Sequence, residues 1–282
     1  MRSQKTELRG DRCWRVLIGV VSCTLAGVWL HAAQLPLDPY RDSGQGVTGS
    51  FEGWYPNPDG TFTLIVGYFS RNQKEALDIP IGPNNRIEPG GPDQGQPTHF
   101  LPRRQWGVFT ITVPKDFGDK KLTWTLTANG KAASIPLNLN PLWVVEPLKD
   151  VAMANTPPVA KFEQGGMVQQ GPPREISATF VTKRTDPVAL TVSLTDDGRQ
   201  NPGVAPAAPL SFTWSKFRGP GAVTFTDSKM EFNQTEGKAA TTATFAAPGE
   251  YILRLQVNDS SGEGGGGFQC CWTNAHVKVI VN

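Results

Sequence analysis

The sequence is poor in the side chains from which most catalytic and metal sites are built. Among its 282 residues are 4 cysteines and 3 histidines, and beyond residue 33 only Cys270, Cys271, His99 and His276 remain. The motifs of serine hydrolases, zinc helices, phosphate loops and EF-hands are missing. We therefore predict no catalytic residue, no metal site and no cofactor, and we expect that the protein is not an enzyme.

A strong charge of either sign is also missing. The chain has 27 basic and 25 acidic residues, for a formal net charge of +2. Its first 33 residues hold five basic and two acidic ones, so 22 basic and 23 acidic residues follow them. A balance close to zero offers nothing to attract nucleic acid or an anionic membrane, and neither is predicted as a partner.

The longest apolar run is too short to cross a membrane easily. It extends over 15 residues, from Val16 to Leu30, whereas a spanning helix needs about 20. Basic residues up to Arg15 precede it and Ala32-Ala33 follow, which is the order of a secretory signal. We predict a signal peptide over 1–33 and an exported protein: periplasmic, cell-surface or extracellular. The alternatives are an uncleaved anchor, with membrane contact only through 16–30, and a lipoprotein signal at Cys23.

No apolar stripe of helical period persists, whereas alternation with a period of two recurs along the chain. Leu210, Phe212 and Trp214 alternate with polar residues, as half-buried strands do. The 30 glycines and 24 prolines, without a repeat, suit short strands joined by tight turns. We predict an all-β fold of two tandem immunoglobulin-like β-sandwiches after the N-terminal signal segment. The predicted divisions are a signal peptide or anchor 1–33, an arm 34–46, a first sandwich 47–147, a linker 148–156 and a second sandwich 157–282.

The second of these blocks resembles the PKD-like, immunoglobulin-type modules of bacterial surface and secreted proteins. The resemblance rests on Pro187–Gly198, Trp214, Gly219-Pro-Gly221, Phe225, Phe245, Pro248-Gly249 and Tyr251. The Trp-Asp-Phe-Gly-Asp-Gly turn typical of PKD modules is replaced by Trp214-Ser215-Lys216, so no binding residue is carried over. The resemblance implies a non-catalytic binding or structural module, with a protein or polysaccharide of the cell envelope as partner. Residues 47–147 resemble no family that we can name.

One long segment of the first block, residues 81–104, is rich in proline, glycine and polar side chains. It looks too rich in proline and glycine to be a strand, and loops of this length are usually functional or disordered. The candidate ligand or partner contacts in it are Asn85, Asp93, Gln94, His99, Arg103 and Arg104. The alternatives are a rigid loop without a ligand and a periplasmic enzyme centred on His99.

Near the end of the chain, Cys270 and Cys271 are adjacent. Neighbouring Cα atoms lie about 3.8 Å apart, less than the roughly 4.4–6.8 Å of ordinary disulfides, so a bond between them would be strained. In an oxidising compartment a vicinal disulfide is still possible, and it would present Phe268 and Trp272 as a contact surface. The alternatives are one buried and one exposed thiol, and metal binding by the pair, for which no nearby His or Cys would complete a site.

A glycan-binding accessory protein is the second functional hypothesis, because exposed aromatic rings stack on sugars. The candidate rings are those of Trp54, Tyr55, Trp106, Trp143 and Trp272. For the last strand we expect Val277, Val279 and Val281 to face the core and His276 to face solvent.

Overall fold

A computed structural model of the chain describes residues 41–150, 154–199, 210–259, 261 and 271–282. The predicted signal segment and Phe268 and Cys270 lie outside the described residues. Residues 40–282 form one compact unit. Among the described residues, no helix has both the length and the apolar character required to cross a membrane.

The described chain consists almost entirely of β-strands, as predicted. The strands of the first half are β1 (Val47–Pro56), β2 (Phe62–Ser70), β3 (Leu77–Asp78), β4 (Asn85–Glu88), β5 (His99–Phe100), β6 (Arg103–Val113), β7 (Lys121–Ala128) and β8 (Lys131–Asn138), followed by a short 3-10 helix (Pro141–Trp143). Those of the second half are β9 (Val159–Phe162), β10 (Val168–Gln170), β11 (Ile176–Thr182), β12 (Val188–Thr195), β13 (Leu210–Arg218), β14 (Val223–Phe225), β15 (Lys229–Phe232), β16 (Glu236–Phe245), β17 (Gly249–Asp259) and β18 (Trp272–Val281).

The first sandwich packs sheet β1-β2-β6 against sheet β4-β7-β8. Its core contains Leu64, Val66, Phe109 and Trp124, all within a few per cent of full burial. Between β7 and β8 the chain turns at Asn129-Gly130, where φ is +49° and +72°. Two positive φ angles match the right-handed twist of the flanking strands, which is why Asn-Gly predicts such hairpins.

The second sandwich packs sheet β10-β9-β12-β16-β14 against sheet β11-β18-β17-β13-β15. Trp214 is buried on β13, and the Tyr251 hydroxyl donates to the Ala247 carbonyl at 2.7 Å. Immunoglobulin-like sandwiches carry a buried tryptophan on the strand called C and a hydrogen-bonded tyrosine, the tyrosine corner, near the start of the strand called F; here β13 and β17 carry these residues. The predicted immunoglobulin-like fold is therefore confirmed for this half.

The prediction that residues 81–104 are too rich in proline and glycine for strands is wrong. The run from Asn85 to Glu88 contains neither residue, and it pairs with β7 as strand β4. Ile87 on this strand is fully buried in the first core. The pairing with β7 and the packing of Ile87 are tertiary contacts, which the composition of the surrounding segment does not indicate.

Candidate functional site: the interface between the sandwiches

The outer face of sheet β11-β18-β17-β13-β15 is covered by the first sandwich. On β17 and β18, Arg254, Asn274 and His276 lie on this face and expose 3%, 0% and 8% of their surface. The expectation that His276 faces solvent is therefore wrong, although Val277, Val279 and Val281 do face the core. A strand alternates between two faces, but its sequence does not say whether the second face meets water or another layer.

Three β-bulges shape this interface. They occur at Glu52 on β1, where the register shifts between Phe51 and Gly53, at residues 106–108 on β6, and at Phe217 on β13. A bulge leaves backbone groups outside the ladder and redirects a side chain. The β6 bulge presents backbone carbonyls to the second sandwich, the β1 bulge directs Glu52 toward β6, and the β13 bulge places Phe217 in the first core.

The bulge on β6 presents three successive carbonyl groups to the second sandwich. Arg254 Nη2 donates to the Trp106 carbonyl at 3.3 Å, and Asn274 Nδ2 donates to the Trp106 and Gly107 carbonyls at 3.1 and 3.0 Å. His276 Nε2 lies 3.1 Å from the Val108 carbonyl. Because a carbonyl only accepts, Nε2 carries the proton, and burial lowers the pKa of His276 to about 3. Outer-face side chains of the second sandwich thus satisfy backbone groups of the first.

The bulge on β1 contributes a buried carboxylate. Glu52 exposes 4% of its surface, accepts from the Gly107 N–H at 2.8 Å and pairs with Arg104 at 2.8 Å. Burial raises the pKa of Glu52 to about 7, against the lowering effects of Arg104, the Gly107 N–H and Arg254. The interface therefore contains an acid that titrates near neutral pH.

The bulge on β13 sends an aromatic ring across the boundary. Phe217 is 2% exposed and belongs to the core of the first sandwich. In the opposite direction, Trp272 packs so closely on Gly107 that a Cβ at residue 107 would lie 1.7 Å from its ring. Apolar contacts thus join the two sandwiches in addition to the hydrogen bonds.

Most of the predicted ligand contacts in residues 81–104 have structural partners. The buried Asn85 amide donates to the Ile79 and Pro97 carbonyls at 2.9 and 2.7 Å, and its oxygen accepts from Trp124 Nε1 at 3.1 Å. Gln94 Nε2 donates to three carbonyls of the same loop. These two amides hold the loop together.

Two further predicted contacts connect this segment with β13, Asp93 directly and His99 through Asp78. Asp93 accepts two hydrogen bonds from Arg218, at 2.7 and 3.0 Å, which hold its pKa below the usual range. Asp78 lies 2.9 Å from His99 Nδ1 and 3.0 Å from Lys216 Nζ. Burial lowers the pKa of His99, so the ring is neutral at pH 7. His99 is thus hydrogen-bonded to Asp78, a carboxylate that also pairs with Lys216 of the second sandwich.

The remaining predicted contacts have different environments. Arg104 pairs with Glu52 and lies 3.9 Å from the centre of the Trp106 ring. Arg103 is exposed, and its N–H donates to the Asn72 carbonyl at 3.3 Å. The described part of the chain contains no group of three or more His, Cys, Asp or Glu side chains fit to hold a metal ion.

The cysteine segment is described only from Cys271 onward. Cys271 is 1% exposed and is disulfide-bonded, with a partner outside the described residues. The vicinal bond to Cys270 accordingly stays a prediction. Trp272, expected to belong to an exposed surface, is fully buried against Gly107.

The aromatic side chains proposed for glycan binding do not form an exposed row. Trp143 is 49% exposed, whereas Trp54 and Trp106 are half-buried and Trp272 is buried. Trp54 packs edge-on against Phe62 and donates its Nε1 proton to the Asn140 carbonyl. Tyr55 is the one of the five that lines a described groove.

The residues that build the interface were not predicted from the sequence; they are chiefly Glu52, Phe217, Arg254 and Asn274. Arg254 and Asn274 occupy the polar positions of alternating strands, which is the pattern of a solvent-facing side. The available signal was the presence of Ile252 and Trp272 on that same side, because apolar residues are unusual on a solvated face.

No protein-family model and no curated protein matches the chain. Among solved structures, the D00–D0 domain of intimin is similar over 83% of this chain and 99% of its own, with 15% identity and a TM-score of 0.27. The adhesin InvE of Yersinia pseudotuberculosis is similar over 84% of this chain and 58% of its own, with 10% identity and a TM-score of 0.23. Domains 4 and 5 of the S-layer protein SbsC cover 58% of this chain and 65% of their own, at 10% identity and a TM-score of 0.23.

Proposed function

We propose that this protein is an exported, non-catalytic binding or structural module of the cell envelope or extracellular space, in which both sandwiches act as one rigid unit. The observation that carries the proposal is the use of the polar side chains of residues 81–104. Asp93 pairs with Arg218 across the boundary between the sandwiches, and His99 hydrogen-bonds to Asp78, which itself pairs with Lys216 across that boundary. Side chains used in this way support a joined scaffold and count against a catalytic centre on the loop.

The buried bonds support rigidity. Interfaces between domains of one chain are commonly polar and permit relative motion. Here Arg254 and Asn274 are buried while they bond to backbone carbonyls of β6, and Phe217 lies in the opposite core. Separating the sandwiches would exchange these hydrogen bonds for bonds to water, at a net cost of about 0.5–1.5 kcal/mol for each bond, and would expose Phe217. A unit of this kind is suited to hold a partner protein or polysaccharide at a fixed distance and angle.

Equilibrium unfolding of the full chain tests the rigid unit. If the sandwiches are coupled as proposed, tryptophan fluorescence and far-UV circular dichroism follow one shared transition in urea. Two transitions separated in urea concentration would contradict the proposal.

Export is the second part of the proposal. The basic-apolar-small order of residues 2–33 supports it, as does the bonded state of Cys271, because disulfides persist in oxidising compartments. N-terminal sequencing of protein from the envelope or medium should find processing near Ala33. Full-length protein confined to the cytosol would contradict export.

Intact-mass measurement after thiol alkylation of the exported protein tests the predicted Cys270–Cys271 bond, which two alkylated thiols would exclude.

The PKD-like assignment of 157–282 remains a prediction, since its evidence is the sequence pattern. The tryptophans do not form the exposed row of rings that the glycan-binding alternative requires. Tyr55 lines a groove, however, and this groove supports a sugar-binding role.

A further inference from the structure

A groove of about 450 Å³ lies between the turn that joins β1 to β2 and the start of the second sandwich. Tyr55 lines it from the end of β1, Asn57 and Asp59 line it from the turn, and Thr63 and Thr112 line it from β2 and β6. Leu148 and Arg174 line it from the linker and from the segment before β11. Its volume is in the range of small-molecule sites, roughly 300–1,000 Å³.

The two halves of the groove are held at a fixed distance. Thr110 on β6 donates its hydroxyl proton to the Pro173 carbonyl, directly before Arg174. Gly171 is anchored to β18, because its N–H donates to the Thr273 hydroxyl at 2.9 Å. Leu148 packs against Gly171, where an added Cβ would lie 2.5 Å from Leu148 Cδ2. The rigid interface thus sets the width of the groove.

The turn side of the groove is ordered by its own hydrogen bonds. Asn57 Nδ2 donates to the hydroxyls of Thr61 and Thr63, both at 2.9 Å. Asp59 Oδ1 accepts from the N–H and hydroxyl of Thr61, and the hydroxyl bond in particular lowers the pKa of Asp59. An ionised carboxylate held by one oxygen keeps its other oxygen available to accept from a ligand hydroxyl.

The opposite side supplies positive charge. Arg174 is exposed and makes no ion pair or side-chain hydrogen bond with another described residue. A guanidinium recognises a carboxylate through two parallel hydrogen bonds. The groove therefore combines an aromatic ring, a hydroxyl acceptor and a carboxylate-binding fork.

We propose that this groove binds a saccharide that carries a carboxylate group, with its ring against Tyr55, its carboxylate on Arg174 and a hydroxyl on Asp59. The aromatic face packs against the C–H groups of the sugar, while the polar groups fix its orientation. An acidic peptide would use Arg174 but would present neither a sugar ring to Tyr55 nor a hydroxyl to Asp59. The proposal rests on the proposed function as an exported binding module and names its ligand class.

Binding measurements with defined oligosaccharides test the proposal. The probes are oligogalacturonate, a neutral maltooligosaccharide of equal length and an oligoglutamate peptide, titrated calorimetrically into the full chain. We expect oligogalacturonate to bind, with an affinity that falls as salt rises because the contact is charge-assisted. The neutral sugar should bind at least about tenfold more weakly, equivalent to about 1.4 kcal/mol.

Surface variants locate the site. Arg174→Gln and Tyr55→Ala should each weaken oligogalacturonate binding about tenfold, while Tyr55→Phe keeps the ring and should bind like the wild type. Trp143→Ala, which removes an exposed aromatic ring outside the groove, is the matched control and should change nothing. Unchanged melting temperatures would show that each variant is folded.

Three results would overturn the proposal: no binding of oligogalacturonate, binding unaffected by Arg174→Gln and Tyr55→Ala, or equal binding of oligoglutamate. The last would indicate an acidic peptide ligand. These failures are distinct from failure of the proposed function, which would show instead as unprocessed cytosolic protein or as cleavage of the sugar. An exported, rigid protein whose groove variants bind like the wild type would remove the groove assignment alone.

Discussion

Adding one methyl group at Gly107 should loosen the contact between the two sandwiches. Gly107 has a φ of +47°, and an added Cβ would lie 1.7 Å from Trp272 Cη2 and 2.4 Å from Cζ2. Carbon atoms in contact are about 3.5–4.0 Å apart, so the indole or β6 must move by about 2 Å. The buried ring has little room to do so, because Trp272 is fully enclosed.

The magnitude follows from two separate costs. A non-glycine residue in the left-handed region costs about 1–2 kcal/mol. Overpacking of a buried contact adds typically about 1–3 kcal/mol. Gly118→Ala is the matched control, because its φ is +54° and the nearest atom to an added Cβ, the Asp116 carbonyl oxygen, is 4.0 Å away. Gly118→Ala should therefore show the backbone cost alone, and Gly107→Ala both costs.

Urea denaturation of the full chain measures the difference, with the free energy of unfolding taken at an unchanged m value. We expect Gly107→Ala to be less stable than Gly118→Ala by about 1–3 kcal/mol. In a Trp272→Ala background this excess should disappear, since the double-mutant cycle removes the clash. Equal destabilisation by the two glycine variants, or an excess that survives without the indole, would refute the packing of Trp272 on Gly107.

Three further predictions concern acid, hydrogen bonding and autonomy. Arg104 and Arg254 face Glu52, yet burial raises its pKa from 4.5 to about 7, so the folded state binds this proton more tightly than the unfolded state. The contribution of Glu52 to stability should be fully present below about pH 4.5 and fall by about 3 kcal/mol as the pH rises through 7, whereas the lowered pKa of His276 acts in the opposite sense as the pH falls below 6.5; the difference in slope between the wild type and Glu52→Gln, in urea unfolding from pH 4 to pH 8, isolates the Glu52 contribution, and equal slopes would contradict it. Tyr251→Phe loses the bond to the carbonyl four residues upstream and should cost about 1 kcal/mol; an unchanged thermal melt would argue against the tyrosine corner. The fragment 157–282 contains a complete core and should fold alone, with a lower melting temperature than the full chain because its outer face becomes exposed; a disordered circular dichroism spectrum would show that it needs the first sandwich.

The strands and their core faces were predictable because the causes are local. Leu210, Phe212 and Trp214 alternate with polar residues, and all three are buried in the second core. Tyr251 and Leu253 follow the same rule on β17. A period of two and the positive φ of an Asn-Gly turn depend on neighbouring residues alone, so one sequence is enough to recognise them.

Local pattern also predicted that residues 81–104 are unusual, but it did not give their role. Their polar side chains were expected to meet a ligand, whereas Asn85 is buried by its own loop and Asp93 pairs with Arg218, 125 residues further along the chain. A partner so distant in sequence leaves no periodic trace near the loop.

The amino-acid order by itself determined an all-β chain, the inward face of alternating strands such as β13 and β17, and the tight turns. The tertiary structure alone decided that the polar outer face of β17 and β18 is an interface. Arg254 and Asn274 look the same in sequence whether they meet water or the carbonyls of the β6 bulge. Strand alternation separates two faces, but only the packing of one sandwich on the other determines which polar face is removed from water.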